Sequence, residues 1–128
     1  MELIGFVQNG VGQGQTFTQI EWVREQFRVK LGFDPFPGTL NVRVANPVAL
    51  DVWRRRPGVV IEPEAEGYCP ARCYHIQVSG SVHAAWIIPD VPGYPCDLVE
   101  IMAPVSLRET LKLKTGDIVR IKLVEETR

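Results

Sequence analysis

Phe36-Pro37-Gly38-Thr39-Leu40-Asn41 runs from a Pro-Gly turn into a segment of alternating character that continues through Val42-Arg43-Val44. Residues two apart on a strand share a face. Thr39 and Asn41 therefore point one way, and Leu40 and Val42 point the other way into a core. The first pair sets a hydroxyl and a side-chain amide side by side. These are neutral oxygen donors of the kind a hard cation such as Mg²⁺ accepts, keeping waters or phosphate oxygens for its remaining positions. An ordinary turn followed by a strand with two outward polar residues accounts for the same stretch without a ligand, so the choice depends on the rest of the chain.

Outward from this strand the chain is β-rich. Leu3 to Val7 is a short apolar run that ends in Gln8-Asn9-Gly10, a first strand entering a turn. Ile20, Val23, Phe27 and Leu31 follow the helical period, with Thr18 expected to cap the start and Gly32 to stop the end. The strand from Thr39 to Val44 breaks at Asn46-Pro47, and Val48 to Trp53 has too little pattern to type. From Arg55 to Arg72 prolines and glycines interrupt the chain, with Val59-Val60-Ile61 as a short strand. Cys73 to Val78 and Val82 to Ile88 read as a hairpin around Ser79-Gly80-Ser81. After a Pro-rich loop from Pro89 to Pro95, Leu98 to Met102 is an apolar strand interrupted by Glu100. Ser106 and Glu109 have capping-box spacing for a short helix, and Gly116-Asp117 turns into an alternating strand from Ile118 to Val124. The helix, turn and strand of this last third echo the order from Val23 to Val44, an arrangement compatible with a barrel built by duplication.

The composition sets limits on function. A chain of 128 residues with 45% apolar and 23% charged residues has the size and make-up of one soluble domain, and a single domain over residues 1–128 is expected. Lys and Arg number 14 against 15 Asp and Glu, a net charge of −1, and the one basic block is Arg54-Arg55-Arg56. A nucleic-acid partner is not expected, because such a chain lacks the broad basic surface that phosphates require. No run of 18 apolar residues and no signal-peptide pattern is present, so neither a membrane span nor export is expected, and the expected location is cytoplasmic. Cys69, Cys73 and Cys96 are an odd number, which argues against a disulfide framework. A zinc site using Cys69, Cys73, His75 and His83 lacks the tight paired spacing of zinc ribbons, and reduced thiols are the better reading.

Three further features bear on chemistry. Gly10-Val11-Gly12-Gln13-Gly14-Gln15 has neither the Gly-Lys-Ser/Thr ending of a phosphate-binding Walker loop nor dinucleotide-fold spacing. Its glycines still let backbone N–H groups form an anion-binding concavity, and the alternative is a flexible hairpin loop. Arg108 near a short helix start suits an anion or stands on the surface. Glu100 interrupts Leu98-Val99-Glu100-Ile101-Met102-Ala103, and it either faces a pocket, where it accepts hydrogen bonds from a polyol, or faces solvent. Periodicity does not separate these.

Taken together, the chain resembles the archaeal-type riboflavin kinases that use CTP in place of ATP. The resemblance covers nearly the whole length and is carried by Gly10 to Gln15, by Leu31 to Asn41 and by Val99 to Glu109 in this order. It implies a mainly β fold, a compact cradle-loop six-stranded β-barrel related to the riboflavin synthase and kinase barrels, with a few short helices. It also implies transfer of the γ-phosphate of CTP to riboflavin, giving FMN and CDP. By the same resemblance, Gly10, Val11, Gly12, Gln13, Gly14 and Gln15 hold the nucleotide phosphates, and Val105, Ser106, Leu107 and Arg108 add nucleotide contacts. Thr39 and Asn41 ligate Mg²⁺, and Glu100 positions the flavin through its ribityl hydroxyls. The chain departs from the family pattern at two positions. Gln15 stands where a basic residue is usual, and Pro92 stands where a threonine hydroxyl would contact the flavin. A non-catalytic flavin- or nucleotide-binding module on the same barrel is the alternative: Thr39, Asn41 and Glu100 together favour the enzyme, and Gln15 and Pro92 favour the module.

Overall fold

The computed structural model of the chain describes residues 2–10 and 17–124. Seven strands follow in order: β1 Glu2–Gln8, β2 Leu40–Val44, β3 Val59–Ile61, β4 Ala71–Val78, β5 Val82–Pro89, β6 Leu98–Met102 and β7 Ile118–Leu123. Three short helices join them: α1 Glu21–Gln26, α2 Pro47–Arg54 and α3 Leu107–Thr110. All pairings are antiparallel. Strands β4, β5, β6, β2, β1 and β7 pair in that order, and β7 pairs back to β4, closing a six-stranded barrel. This is the mainly β barrel with short helices that the resemblance implied. The seventh strand, β3, shares an edge of β4 with β7: Val59–Ile61 pairs with Ala71–Cys73, while β7 takes Ile76–Val78.

Alternation along each strand sorts the side chains. Leu3, Val7, Leu40, Val42, Val44, Val99, Ile101, Val119, Ile121 and Leu123 fill the interior with Tyr74, Ile76, Trp86 and Ile88 from β4 and β5. A second core lies on the outer face of β3 to β6, where Val23, Phe27 and Leu31 cover Ile61, Cys73, Ala85, Ile87 and Met102. The spacing of those three helical residues, four and four, overruns the α-helical period. The chain meets it by continuing α1 as a π-helical turn over Phe27–Leu31, which keeps them on one face. Gly32, with φ of 87°, ends the helix as expected, and its N–H donates to Phe27 O at 2.8 Å.

Two local expectations change. Thr18 does not cap α1, whose N-cap is Ile20 without a side-chain cap bond. The Thr18 hydroxyl instead accepts from Gly38 N at 2.8 Å and anchors the turn ahead of β2. The untyped stretch after Asn46-Pro47 is helix α2, capped by the Asn46 side chain accepting from Val48 N, with proline in its first turn. Ser106 caps α3 as its spacing predicts, accepting from Glu109 N at 3.3 Å. Among the described residues no helix is long and apolar enough to cross a membrane.

Candidate functional site

The outer face of β2 and β6 carries the polar residues that the sequence singles out. In the β2–β6 register Asn41 lies opposite Glu100, and Ile87 of β5 is Glu100's partner on the other side. The Thr39 hydroxyl donates to Glu100 Oε2 at 3.4 Å, a long and weak bond. Thr39, Asn41 and Glu100 are thus one group, assembled from strands 60 residues apart in sequence by pairing alone. A hydroxyl, an amide and a carboxylate form an all-oxygen donor set, which fits a hard divalent cation and not a soft one.

The other motifs converge on the same place. Gly10 approaches Asn41 so closely that a Cβ there would overlap the side-chain amide nitrogen, so any larger residue must displace the Asn41 amide. Arg108 of α3 donates through Nη2 to Gln8 O at 3.2 Å, and the Thr115 hydroxyl donates to Asn9 Oδ1 at 2.7 Å, so both hold the root of the glycine stretch. Val11, Gly12, Gln13, Gly14 and Gln15 lie outside the described residues. Phe36 N donates to Ala103 O at 2.7 Å and joins the turn before β2 to the segment after β6.

Two cavities meet at Thr39. One, of about 130 Å³, is a groove between Phe36–Leu40 and Val105–Arg108. The other, of about 220 Å³, is lined by Phe17, Tyr68, Cys69 and Ile87 together with Thr39 and Glu100. Thr39 lines both. The first is bordered by a guanidinium; the second has aromatic and aliphatic walls with a single carboxylate.

Sequence reasoning missed Tyr94. Its hydroxyl donates to Glu100 Oε1. Burial, reinforced by the bond to Glu100 and its negative charge, pushes the Tyr94 hydroxyl pKa well above its ordinary value, so it remains a donor. Pro92, on the same loop, is exposed. Tyr68 and Cys69 were also missed, because they stand in the proline- and glycine-broken stretch that has no readable period. The cysteines and histidines do not assemble a zinc site. Cys73 is fully buried in the second core, where desolvation pushes its thiol pKa far up. His75 and His83 face each other across β4 and β5 with Nδ1 and Nε2 3.1 Å apart. No group of three or more His, Cys, Asp or Glu suited to a metal occurs among the described residues.

A family model named CTP-dep_RFKase, described as "Domain of unknown function DUF120", matches residues 7–123. The chain belongs to that family. Within the CTP-dep_RFKase family the chain is similar to proteins named riboflavin kinase. That of Methanosarcina mazei is 44% identical over 98% of this chain and 58% of its own length. That of Methanosarcina barkeri is 40% identical with the same coverage. That of Archaeoglobus fulgidus is 37% identical over 97% of this chain and 55% of its own. The chain therefore spans a little over half the length of these curated relatives.

Proposed function

We propose that this barrel is a CTP-dependent riboflavin kinase, which transfers the γ-phosphate of CTP to the ribityl 5′-hydroxyl of riboflavin and releases FMN and CDP. The observation that carries this reading is the position of Thr39 on the wall of both cavities. Phosphoryl transfer needs two substrates held end to end and the charge between them neutralised. A groove beside Arg108 suits the nucleotide, with its phosphates toward the Gly10–Gln15 stretch. The apolar cavity suits an aromatic ring system, with its polyol toward Glu100. Thr39 stands at their meeting point, Glu100 on the wall of the apolar cavity and Asn41 opposite Glu100 across the β2–β6 pairing.

Mg²⁺ would be held there by Thr39 and Asn41, and when bound it supplies charge neutralisation of the transferring phosphoryl group. The protein's own residues do the remainder. Arg108 and Val105–Leu107 border the nucleotide, and Glu100 accepts ribityl hydroxyls and sets the reach of the terminal one. Gln15 adds no charge to the phosphate site, and among the described residues Arg108 is the charged side chain lining the groove. Support from the relatives lies in their name, riboflavin kinase, and in the CTP of the family's name.

The test is direct. The purified protein is incubated with riboflavin, Mg²⁺ and either CTP or ATP, and FMN is followed by chromatography. FMN with CTP and little with ATP is the expected result. No FMN with either nucleotide, while riboflavin still binds, overturns the kinase reading and leaves a flavin-binding module.

A further inference from the structure

The loop between β5 and β6 is fixed at both ends. Asp90 N donates to Pro70 O at 2.9 Å at its start. At its end Arg54 Nη2 donates to Cys96 O at 2.7 Å, Val44 N donates to Asp97 O at 2.9 Å, and the Asp97 carboxylate pairs with Arg43. Gly93, with φ of 77°, turns the chain just before Tyr94. Tyr94 is half-buried, and its side chain packs against the barrel's interior core. It stands as a partition. Its residue lines a polar groove with Arg54, Arg72 and Asp90, while its hydroxyl reaches Glu100 on the wall of the apolar cavity.

The two oxygens of Glu100 are held unequally. Tyr94 donates to Oε1, whereas Thr39 reaches Oε2 only at 3.4 Å. An ionised carboxylate has about four acceptor sites. With Oε1 fixed from behind, the loosely held Oε2 is the oxygen left to a ligand hydroxyl.

We propose that Tyr94 is the positioning residue of the flavin site: its hydroxyl sets the Glu100 carboxylate toward the ribityl chain. This rests on the flavin reading of the Glu100 cavity. The ring's burial and the pinned loop make the hydroxyl a fixed donor, so no ordering is required when the ligand arrives.

Tyr94→Phe keeps the ring and removes only the oxygen. A lost hydrogen bond to a charged group is expected to weaken riboflavin binding about 10- to 100-fold. Binding is read without nucleotide, by quenching of flavin fluorescence, so that it does not depend on turnover. In the kinase assay the variant raises KM for riboflavin and leaves KM for CTP within about 3-fold, a split that loosened packing does not produce.

Unchanged riboflavin affinity in Tyr94→Phe overturns the proposal, and so does equal weakening of riboflavin and CTP with a lowered melting temperature. A protein that makes no FMN yet loses riboflavin on Tyr94→Phe keeps the tyrosine's role and sinks the kinase. A working kinase indifferent to Tyr94→Phe does the reverse.

Discussion

Gly10→Ala separates fold from function by a single methyl group. Gly10 is not among the glycines with positive φ, so alanine fits its backbone without strain. The methyl carbon, however, would overlap Asn41 Nδ2 and stand 3.5 Å from its Cγ. To restore van der Waals contact, the amide must retreat by on the order of 1 Å. Asn41 is 8% exposed and has little open space to retreat into. Its escape through an off-rotamer angle costs about 0.5–1.5 kcal/mol, a modest part of a typical stability of about 5–15 kcal/mol, so the barrel stays folded. Turnover has no such margin, because a displacement of about 1 Å at a reacting centre costs on the order of 100-fold. The expected phenotype is a kcat lowered about 100-fold, with a raised Mg²⁺ concentration for half-maximal rate, an unchanged KM for riboflavin and a melting temperature only a few degrees lower. FMN formation across a Mg²⁺ titration and a thermal melt of the same preparation measure all of these. Wild-type kcat and wild-type Mg²⁺ dependence in Gly10→Ala would show that the Asn41 amide does not sit where the reaction needs it.

Thr39→Ala with Asn41→Ala is expected to abolish Mg²⁺-dependent FMN formation while riboflavin binding by fluorescence stays largely intact; unchanged turnover removes the metal assignment. Of the three thiols, exposed Cys96 and half-buried Cys69 should react with an aromatic disulfide in the native protein at pH 8, and Cys73 only after denaturation. Riboflavin should slow Cys69 specifically, because that residue lines the Glu100 cavity, and equal rates with and without riboflavin would place the flavin elsewhere. The Arg24 guanidinium, through two hydrogen bonds to Asp34, holds that carboxyl below its ordinary value. A depressed carboxyl stabilises above its unfolded value and loses this as pH falls through its folded one. Asp34→Asn should therefore flatten the acid end of the stability–pH curve slightly, since the pair is exposed. A steeper acid loss in the variant refutes the sign.

The strands were legible where one face is wet and the other dry. Ile118–Leu123 alternates cleanly and its burial follows the letters, whereas in Leu40–Val44 the letters alternate but Asn41 is buried along with its apolar neighbours. Helix α2 was not, although its start signal was in view. Asn46-Pro47 punctuates a strand and also supplies an N-cap with a first-turn proline, and local letters do not say which use the chain makes of it. Thr18 fails as a cap for a related reason: a tertiary acceptor role toward Gly38, 20 residues away, outcompetes the local one. At the site, Thr39 and Asn41 follow from the two-residue period of a strand. Glu100 enters their group only through the β2–β6 register, a long-range pairing that no window of sequence contains. Tyr94 and Tyr68 lie on loops, where direction is set by turns and anchors and periodicity has no hold.

The closure of the barrel has a consequence for how the chain is made. β7 zips Glu2–Phe6 to Ile118–Lys122 on one side and supplies Leu123, Lys122 and Ile121 to Ile76–Val78 on the other. Two of the six seams therefore wait for the last of the described strands, and one of them joins the most distant segments of the described chain. Until residue 123 has left the ribosome, the nascent sheet has two open edges, and the apolar lining contributed by β1 and β4 is unsealed. Such late, nonlocal closure makes for slow folding and an aggregation-exposed intermediate. Loss of β7 would open both seams at once and would also release the turn that ties Thr115 to Asn9.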